Sequence, residues 1–251
     1  MELLENEEIC DLGLKNLKII QNNKWFKFGI DSVLLSDFAK NIKKNSIVCD
    51  LGTGTGILPI LLCGKTELKK IYGIEIQEDV ANMAKRSVSL NNLEEKVDII
   101  NSNILDLKKN NLIEPNTIDV IVSNPPYKEL GTGIINEEEK KNISRHEITA
   151  SLDDFIKVSK NLLKDKGTLY MVHRPDRLVD IISILRSYNI EPKEIRFVYP
   201  KEGEESNLLL IKAVKGGSKS IKILKPLYVY KRDTNNEYTD EIYEIYNMKK
   251  D

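Results

Sequence analysis

The residues with the clearest chemistry are Asn124-Pro125-Pro126-Tyr127, which directly follow the apolar run of residues 118–122. That run predicts a buried strand, so the tetrapeptide would sit where the strand ends. An exocyclic amine on a purine, or an amide nitrogen, is a poor nucleophile because its lone pair is delocalised. The Asn124 side-chain carbonyl and the Pro125 backbone carbonyl can accept hydrogen bonds from such an NH2 group and stabilise the positive charge that grows on alkylation. The corner therefore predicts chemistry on a planar nitrogen.

The remaining features of this corner are rigidity and a flat aromatic surface. Proline fixes φ and has no N–H, so the backbone at Pro125 and Pro126 cannot donate into the site. The ring of Tyr127 can stack on a base that has left its stack, which contributes about 1–3 kcal/mol per base. On this interpretation Tyr127→Phe keeps the face and most of the activity. The alternative is a proline stop after a strand, with Tyr127 serving only as packing.

A glycine-rich turn, LGTGTG, lies between a predicted strand and a predicted helix within residues 47–62. Gly52, Gly54 and Gly56 let the backbone approach a ligand, and the N–H groups at the helix start point at its polar end. A following strand ends on Glu75, roughly 20 residues beyond the glycines, the spacing at which a carboxylate meets ribose hydroxyls. This arrangement indicates an adenosine-containing cofactor. The glycine spacing differs from the dinucleotide pattern G-x-G-x-x-G and resembles motif I of class I S-adenosylmethionine-dependent methyltransferases.

Composition narrows the class of protein without deciding its function. The chain has 251 residues, enough for one large α/β domain, and a formal net charge of -1, so contact with nucleic acid would need a local basic patch. No stretch approaches the ~20 apolar residues of a membrane span, and residues 1–8 are acidic where a signal peptide would be basic. The three cysteines and two histidines show no ligand spacing. We expect a cytoplasmic monomer with no membrane contact and no metal.

Strand and helix patterns alternate along most of the chain and predict a Rossmann-like α/β fold. We expect a seven-stranded, mostly parallel sheet with a terminal antiparallel strand and helices on both faces. The expected strands are 47–50, 71–76, 97–101, 118–123, 168–173, 195–199 and 208–214, and the expected helices are 31–39, 57–63, 79–91, 152–163 and 177–187.

Three regions are predicted along the chain. Residues 1–30 form an N-terminal extension, in which 17–21 and 25–28 resemble the two strands of a hairpin. Residues 31–214 form the class I methyltransferase domain. Residues 215–251 form a basic, tyrosine-rich extension packed on the same domain.

The NPPY tetrapeptide resembles motif IV of amino-methyltransferases, a group that modifies adenine N6, guanine N2 of ribosomal RNA, or glutamine N5 of release factors. Within that group the chain resembles the valine-tRNA adenine-37 N6-methyltransferase family in its compact bacterial form. The resemblance runs from about residue 17 to near the end and is carried by residues 28–35 (FGIDSVLL), 50–56 (DLGTGTG), 72–75 (YGIE), 123–127 (SNPPY), 145–147 (RHE), 173–175 (HRP) and 226–230 (PLYVY).

The resemblance implies roles for individual residues. The amino acid part of S-adenosylmethionine would meet Asp50 and the glycine turn, and its ribose would meet Glu75. The residues implied in cofactor binding are Phe28, Gly29, Asp31, Asp50, Gly52, Gly54, Gly56, Glu75, Ile76, Asn103, Ile104 and Asn124. Asn103 stands where such families usually carry an aspartate for the adenine amine, and the alternative is that it caps a turn.

Transfer RNA is the expected partner, for reasons of chain length and charge. After the core only residues 215–251 remain, too few for the separate target-recognition domain of a DNA methylase, and residues 1–30 do not resemble the helical domain of release-factor methylases. The segment from residue 212 to 232 is basic without an acid, although a solvated lysine face is the alternative. The expected substrate contacts are Tyr127, Arg145, His146, Arg174, Lys219, Lys222 and Lys225.

Two further function classes are open at this point. An NAD-dependent oxidoreductase would share the α/β pattern but is disfavoured by the glycine spacing. A catalytically silent RNA-binding protein would share the basic segment. For Arg145, His146 and Arg174, hydrogen bonds that pin loops to the fold are the alternative to contact with RNA.

Overall fold

Strands and helices alternate along the chain in a computed structural model that describes residues 3–24, 29–127, 150–234 and 237–248. The strands are β1 (Glu7–Asp11), β2 (Lys18–Asn22), β3 (Ile47–Leu51), β4 (Lys70–Glu75), β5 (Val97–Asn101), β6 (Ile118–Ser123), β7 (Leu163–His173), β8 (Ile190–Tyr199), β9 (Leu208–Lys215), β10 (Lys222–Ile223) and β11 (Leu227–Tyr228). The helices are α1 (Ile30–Phe38), α2 (Ile57–Lys65), α3 (Glu78–Leu90), α4 (Leu152–Leu162), α5 (Leu178–Ser187) and α6 (Asp240–Ile245).

The central sheet has the strand order β10-β8-β9-β7-β6-β3-β4-β5, and β11 also pairs with β8. Its neighbouring strands are parallel except around β9, which runs antiparallel to both β7 and β8. The prediction of a mostly parallel, seven-stranded α/β sheet with a terminal hairpin is therefore confirmed, and β10 and β11 extend it at one edge. Because β3, β4, β6 and β7 are parallel, their carboxyl ends meet along one edge of the sheet, where ligands bind in open α/β folds.

Helices cover both faces of the sheet and bury two apolar clusters. The first cluster joins α1, α2 and α3 to one face, with Leu34, Ile60 and Ala84 among its buried side chains. The second joins α4 and α5 to the other face, with Phe155 and Leu185 among them. Successive strand residues enter opposite clusters, as the alternation of side chains across a strand requires. The strand ends are thereby held rigidly from both sides.

The predicted strand at residues 17–21 is present as β2, and it has a partner strand that the sequence does not predict. Strand β2 pairs antiparallel with β1, in a register that places Ile9 opposite Ile20. The predicted partner, residues 25–28, lies outside the described residues. The sequence predicts no strand at residues 7–11, because their charged composition hides an extended segment. The hairpin packs on α3, where Ser87 Oγ accepts the Ile20 N–H at 3.0 Å and Arg86 forms an ion pair with Glu7.

The C-terminal segment packs beside α1 and α2. Lys65 of α2 donates to the Ile245 carbonyl at 2.9 Å and pairs with Asp37 of α1 at 3.1 Å, so one ammonium group joins three helices. The rings of Tyr230, Tyr238 and Tyr246 stack in nearly parallel planes, with centroids 5.3 and 5.8 Å apart. In the described part of the chain no helix is long and apolar enough to cross a membrane.

Candidate active site

The glycine turn connects β3 to α2 and is tied to the end of β4. The N–H groups of Gly52 and Thr53 both donate to the Ile74 carbonyl, at 3.0 and 2.8 Å. Gly52, Gly54 and Gly56 have φ values of 78°, 56° and 84°, a left-handed backbone that side chains disfavour. A Cβ added at Gly54 would meet no heavy atom within 4 Å, so this part of the turn faces open space. The turn can therefore bring backbone N–H groups against a ligand.

The Glu75 carboxylate, at the end of β4, is held in place by backbone donors. Gly54 N–H donates to Oε2 and Gln77 N–H donates to Oε1, both at 2.9 Å, and the residue is only 6% exposed. The Asn101 amide donates to the Glu75 carbonyl at 2.9 Å and holds the adjoining backbone. Each carboxylate oxygen has further acceptor capacity, so Glu75 can receive two hydroxyl groups of a ligand without moving.

Asp50 lies beside Glu75 and is fully buried, yet neither of its oxygens has a hydrogen-bond partner in the described residues. Burial raises the pKa of Asp50 to about 7; the neighbouring Thr53 hydroxyl, which does not reach hydrogen-bond geometry, lowers it in part, and the negative charge of Glu75 raises it further. A buried acceptor without a donor is costly, so a site of this kind is completed by a donor from a ligand. The chemistry fits an ammonium group, such as that of the amino acid part of S-adenosylmethionine.

The loop after β5 carries the remaining predicted cofactor residues. Asn103 Oδ1 accepts the Leu105 N–H at 3.0 Å and caps a short 3₁₀ helix, Ile104–Asp106, so the capping alternative holds for this oxygen. Its contact with an adenine amine stays a prediction. Ile104 is buried, whereas Ile76, next to Glu75, is 44% exposed and offers an apolar surface at the strand end.

The NPPY corner begins where β6 ends, as predicted, and side chains from α1 reach it. Tyr127 Oη lies 2.6 Å from Asp31 Oδ2 and 2.8 Å from Asn124 Oδ1. Ser32 Oγ lies 3.4 Å from Asn124 Nδ2. The corner is joined to β3 by Ser123, whose hydroxyl donates to the Leu51 carbonyl at 2.9 Å. The structure therefore brings Asn124 and Tyr127 together with Asp31, for which the resemblance implies a contact with the cofactor.

The ring of Tyr127 packs against His173 at the end of β7, with centroids 5.2 Å apart and planes at 55°. Burial raises the pKa of Tyr127, and both the charge of Asp31 and its hydrogen bond add to that rise. The pKa of His173 is lowered, chiefly by burial and then by the nearby charge of Arg177, and its Nδ1 accepts the Arg174 N–H at 2.8 Å. His173 is thus a neutral packing partner of Tyr127. The sequence indicates His173 only through its position at the end of the predicted strand 168–173.

The predicted substrate-binding residues divide into three groups. Arg174 is exposed and directly follows His173, whose ring packs against Tyr127. Arg145 and His146, like Phe28 of the cofactor set, lie outside the described residues. Lys219, Lys222 and Lys225 are exposed at the outer edge of the sheet.

Several cations of the basic segment, residues 212–232, have polar or acidic partners in the fold. Lys222 lies on β10, opposite Glu194 of β8 in the strand register; β10 is four strands from β6 in the sheet order, or roughly 19 Å at the usual strand spacing. Other cations of the segment have partners: Lys212 with Glu194, Lys215 with Asn116, Lys231 with Glu237, and Arg232 with Glu202. For Lys219, Lys222 and Lys225 no ion pair is present within the described ranges.

Known proteins resemble this chain in both sequence and fold. It is 28% identical to a tRNA1(Val) (adenine(37)-N6)-methyltransferase of Porphyromonas gingivalis strain W83 over 201 residues, which cover 79% of this chain and 78% of the relative. A predicted O-methyltransferase from Agrobacterium tumefaciens superposes with a TM-score of 0.68 at 18% identity, covering 86% of this chain and 95% of the other.

A second solved structure shares the fold and contains a ligand. M. jannaschii TYW2, solved in complex with AdoMet, has a TM-score of 0.58 at 15% identity and covers 85% of this chain and 88% of its own. The family model described as the methyltransferase small domain matches residues 28–186, which include the glycine turn, Glu75 and the NPPY corner. Together with the strand order and the glycine turn, this match shows that the chain belongs to the methyltransferase small domain family.

Proposed function

We propose that this chain transfers a methyl group from S-adenosylmethionine to the exocyclic N6 of an adenosine in tRNA. The observation that carries the proposal is the corner after β6, where an asparagine amide, a proline carbonyl and a tyrosine ring adjoin the glycine turn and two buried carboxylates. The relative from Porphyromonas gingivalis bears the name of that activity. Because the substrate proposed for this chain is tRNA, we expect the protein to act in the cytoplasm.

The cofactor, when bound, supplies a methyl group on a sulfonium, which is a strong leaving group. Asp50 and the N–H groups of the glycine turn would hold its amino acid part, because Asp50 is a buried acceptor without a donor. Glu75 would accept its ribose hydroxyls, because backbone donors already fix both carboxylate oxygens. Gly29, Ile76, Asn103 and Ile104 would border the same ligand. Positioning then accounts for most of the rate.

The corner would act on the amine as positive charge develops there. The carbonyl groups of Asn124 and Pro125 accept hydrogen bonds from N6 and align its lone pair with the bond that breaks. Tyr127 would present its ring to the adenine, which must leave its stack to reach the site. No general base is needed before transfer, since the methylated ammonium loses its proton readily afterwards. The neutral, buried state of His173 agrees with that account.

RNA would be held by positive charge beside the NPPY corner and at the outer edge of the sheet. Arg174 lies beside Tyr127 and can meet a phosphate near the flipped base. Lys219, Lys222 and Lys225 would contact the tRNA body at the outer sheet edge. Such contacts are consistent with recognition of a folded RNA by its shape and its phosphate groups. Arg145 and His146 are proposed contacts from their sequence alone.

Mass spectrometry of tRNA nucleosides from a deletion strain tests the proposal. Loss of N6-methyladenosine from one tRNA, restored by the wild-type gene and not by an Asn124→Ala variant, is the expected result. If N2-methylguanosine disappears from ribosomal RNA instead, the guanine-N2 alternative replaces it, and loss of glutamine methylation on release factors would favour the third amino-methyltransferase class.

The alternatives from other classes are separated by ligand binding. Titration calorimetry of the purified protein should show binding of S-adenosylmethionine and none of NAD. An NAD-dependent oxidoreductase would give the opposite result. A non-catalytic RNA-binding protein would bind neither small molecule.

A further inference from the structure

We propose that Asp31 keeps the side-chain carbonyl of Asn124 free for the substrate amine, by holding the hydroxyl proton of Tyr127. This role of a positioning residue rests on the proposed function and deepens it. Tyr127 Oη lies 2.6 Å from Asp31 Oδ2 and 2.8 Å from Asn124 Oδ1. A phenol has one proton to donate, so the tyrosine can satisfy only one of these two acceptors.

The Asp31 carboxylate is the stronger acceptor of the two. A hydrogen bond from a hydroxyl group to a carboxylate is roughly twice as strong as one between neutral groups and is about 2.5–2.7 Å long, which the contact with Asp31 matches. Asp31 lies in the first turn of α1, where the helix dipole favours a negative charge. Burial raises the pKa of Tyr127, so the phenol keeps its proton near neutral pH. The proton therefore points to Asp31.

Asn124 Oδ1 is thereby left as an acceptor without an internal donor. Within the described ranges Tyr127 Oη is the one donor group within reach of this oxygen, and the nearby Ser32 Oγ faces the amide nitrogen instead, at 3.4 Å. Asn124 is partly buried, and an acceptor in such a place gains from a donor that a ligand brings. The NH2 group of the substrate can supply this donor and has no internal hydrogen bond to displace.

Gly29 leaves space for the Asp31 carboxylate beside the start of α1. A Cβ built at Gly29 would lie 2.5 Å from Asp31 Oδ1, although the φ of −93° at Gly29 is one that any residue adopts. The missing side chain therefore serves space rather than backbone conformation. With Oδ1 beside Gly29, the other carboxylate oxygen, Oδ2, is turned to Tyr127.

Rescue by a second substitution tests this role. Asp31→Leu keeps a branched side chain but removes the acceptor, so the Tyr127 proton should turn to Asn124 Oδ1 and slow single-turnover methylation about three- to tenfold at saturating cofactor and tRNA. Tyr127→Phe alone should stay within about twofold of the wild type, because its lost hydroxyl group served only Asp31. The double variant should recover to within about twofold of the wild type. A double variant as slow as Asp31→Leu would overturn the role.

The rescue separates this role from a direct contact between Asp31 and the cofactor. If Asp31 acted only on the cofactor, removing the tyrosine hydroxyl group would restore nothing. Tyr188→Phe is the matched control in the Asp31→Leu background, because Tyr188 donates to Asp153 at 2.9 Å on the surface, outside the corner. It should leave the rate of Asp31→Leu unchanged, and an equal rescue by this control would contradict the role of Tyr127.

Nuclear magnetic resonance of the ligand-free protein gives a readout that does not depend on the substrate. A carbonyl carbon shifts downfield when its oxygen accepts a hydrogen bond. The Cγ signal of Asn124 should therefore move downfield in Asp31→Leu and move back in the double variant with Tyr127→Phe. An unchanged signal in Asp31→Leu would overturn the role of Asp31 even when tRNA methylation is confirmed. If the wild type methylates no tRNA adenosine but the signal moves as expected, the proposed function fails and the hold of Asp31 on the Tyr127 proton stands.

Discussion

Two regions of the candidate site hold their polar groups in different ways. One is the predicted cofactor end, which consists of the glycine turn, Asp50 and Glu75; the other is the NPPY corner. At the predicted cofactor end, backbone N–H groups of Gly54 and Gln77, which lie 21 and 2 positions from Glu75, fix the Glu75 carboxylate. At the corner, side chains fix one another: Asp31 meets Tyr127 across 96 positions. Local backbone geometry therefore prepares the first region, whereas the packing of α1 against the sheet prepares the second.

This difference predicts how the two regions respond to substitution. Where backbone donors do the positioning, removal of one side chain should weaken a ligand and leave its neighbours in place. Where side chains position each other, removal of one should disturb the others and appear in the rate. Effects on affinity and effects on rate should thus divide between the two regions.

The largest effect is expected at Asn124, in the corner. Asn124→Ala should reduce the single-turnover methylation rate about a hundredfold or more, because an acceptor for the charge that develops on N6 is lost. Both ligands should still bind, which calorimetry and filter binding would measure. A rate close to that of the wild type would remove the division proposed between the two regions.

At the cofactor end the loss should fall on affinity. Glu75→Ala should weaken S-adenosylmethionine binding by about 1.5–3 kcal/mol, because two charge-assisted hydrogen bonds to ribose are removed. Glu78→Ala is the matched control, since Glu78 is an exposed acid three residues further along the chain. Unchanged affinity in titration calorimetry would place Glu75 outside the cofactor site.

Asp50 sharpens the comparison, because in the described part of the chain neither of its oxygens makes a hydrogen bond of normal geometry, whereas Glu75 accepts two from the backbone. Its pKa is about 7 in the fold against an ordinary value of 3.8, so the folded state binds more protons between those values. The stability of the ligand-free wild type relative to Asp50→Asn should therefore fall as the pH rises from 4 to 7, by up to about 1.4 kcal/mol per pH unit. Urea unfolding of both proteins across this window measures it, and a constant difference would mean that Asp50 stays ionised.

The smallest effect should come from the outer sheet edge, which belongs to neither region. Replacing Lys219, Lys222 and Lys225 with glutamine should weaken tRNA binding and lower the salt dependence by about 0.7–0.9 per lost phosphate contact, with cofactor affinity unchanged. The same change at the exposed Lys43, Lys69 and Lys85 serves as the control. Equal slopes for both triple variants would make the three lysines an ordinary solvated face.

Features that depend on residues close in sequence were predictable. The order of strands and helices follows from apolar periodicity, and it places Glu75 and Asn124 at strand ends before any coordinates are known. The glycine turn follows from spacing, since only glycine adopts its left-handed φ values without strain.

Tertiary structure decided the contacts between distant segments. The sequence predicts that the Tyr127 hydroxyl group is dispensable, but packing of α1 against the sheet places it near two acceptors, Asp31 and Asn124. Sequence also could not show that β2 pairs with β1, nor that Asp50 is buried without a donor. The physical reason is common to all three. Hydrogen bonds and burial depend on which side chains the folded core brings within a few ångströms, and residues that are neighbours in the sequence do not determine those contacts.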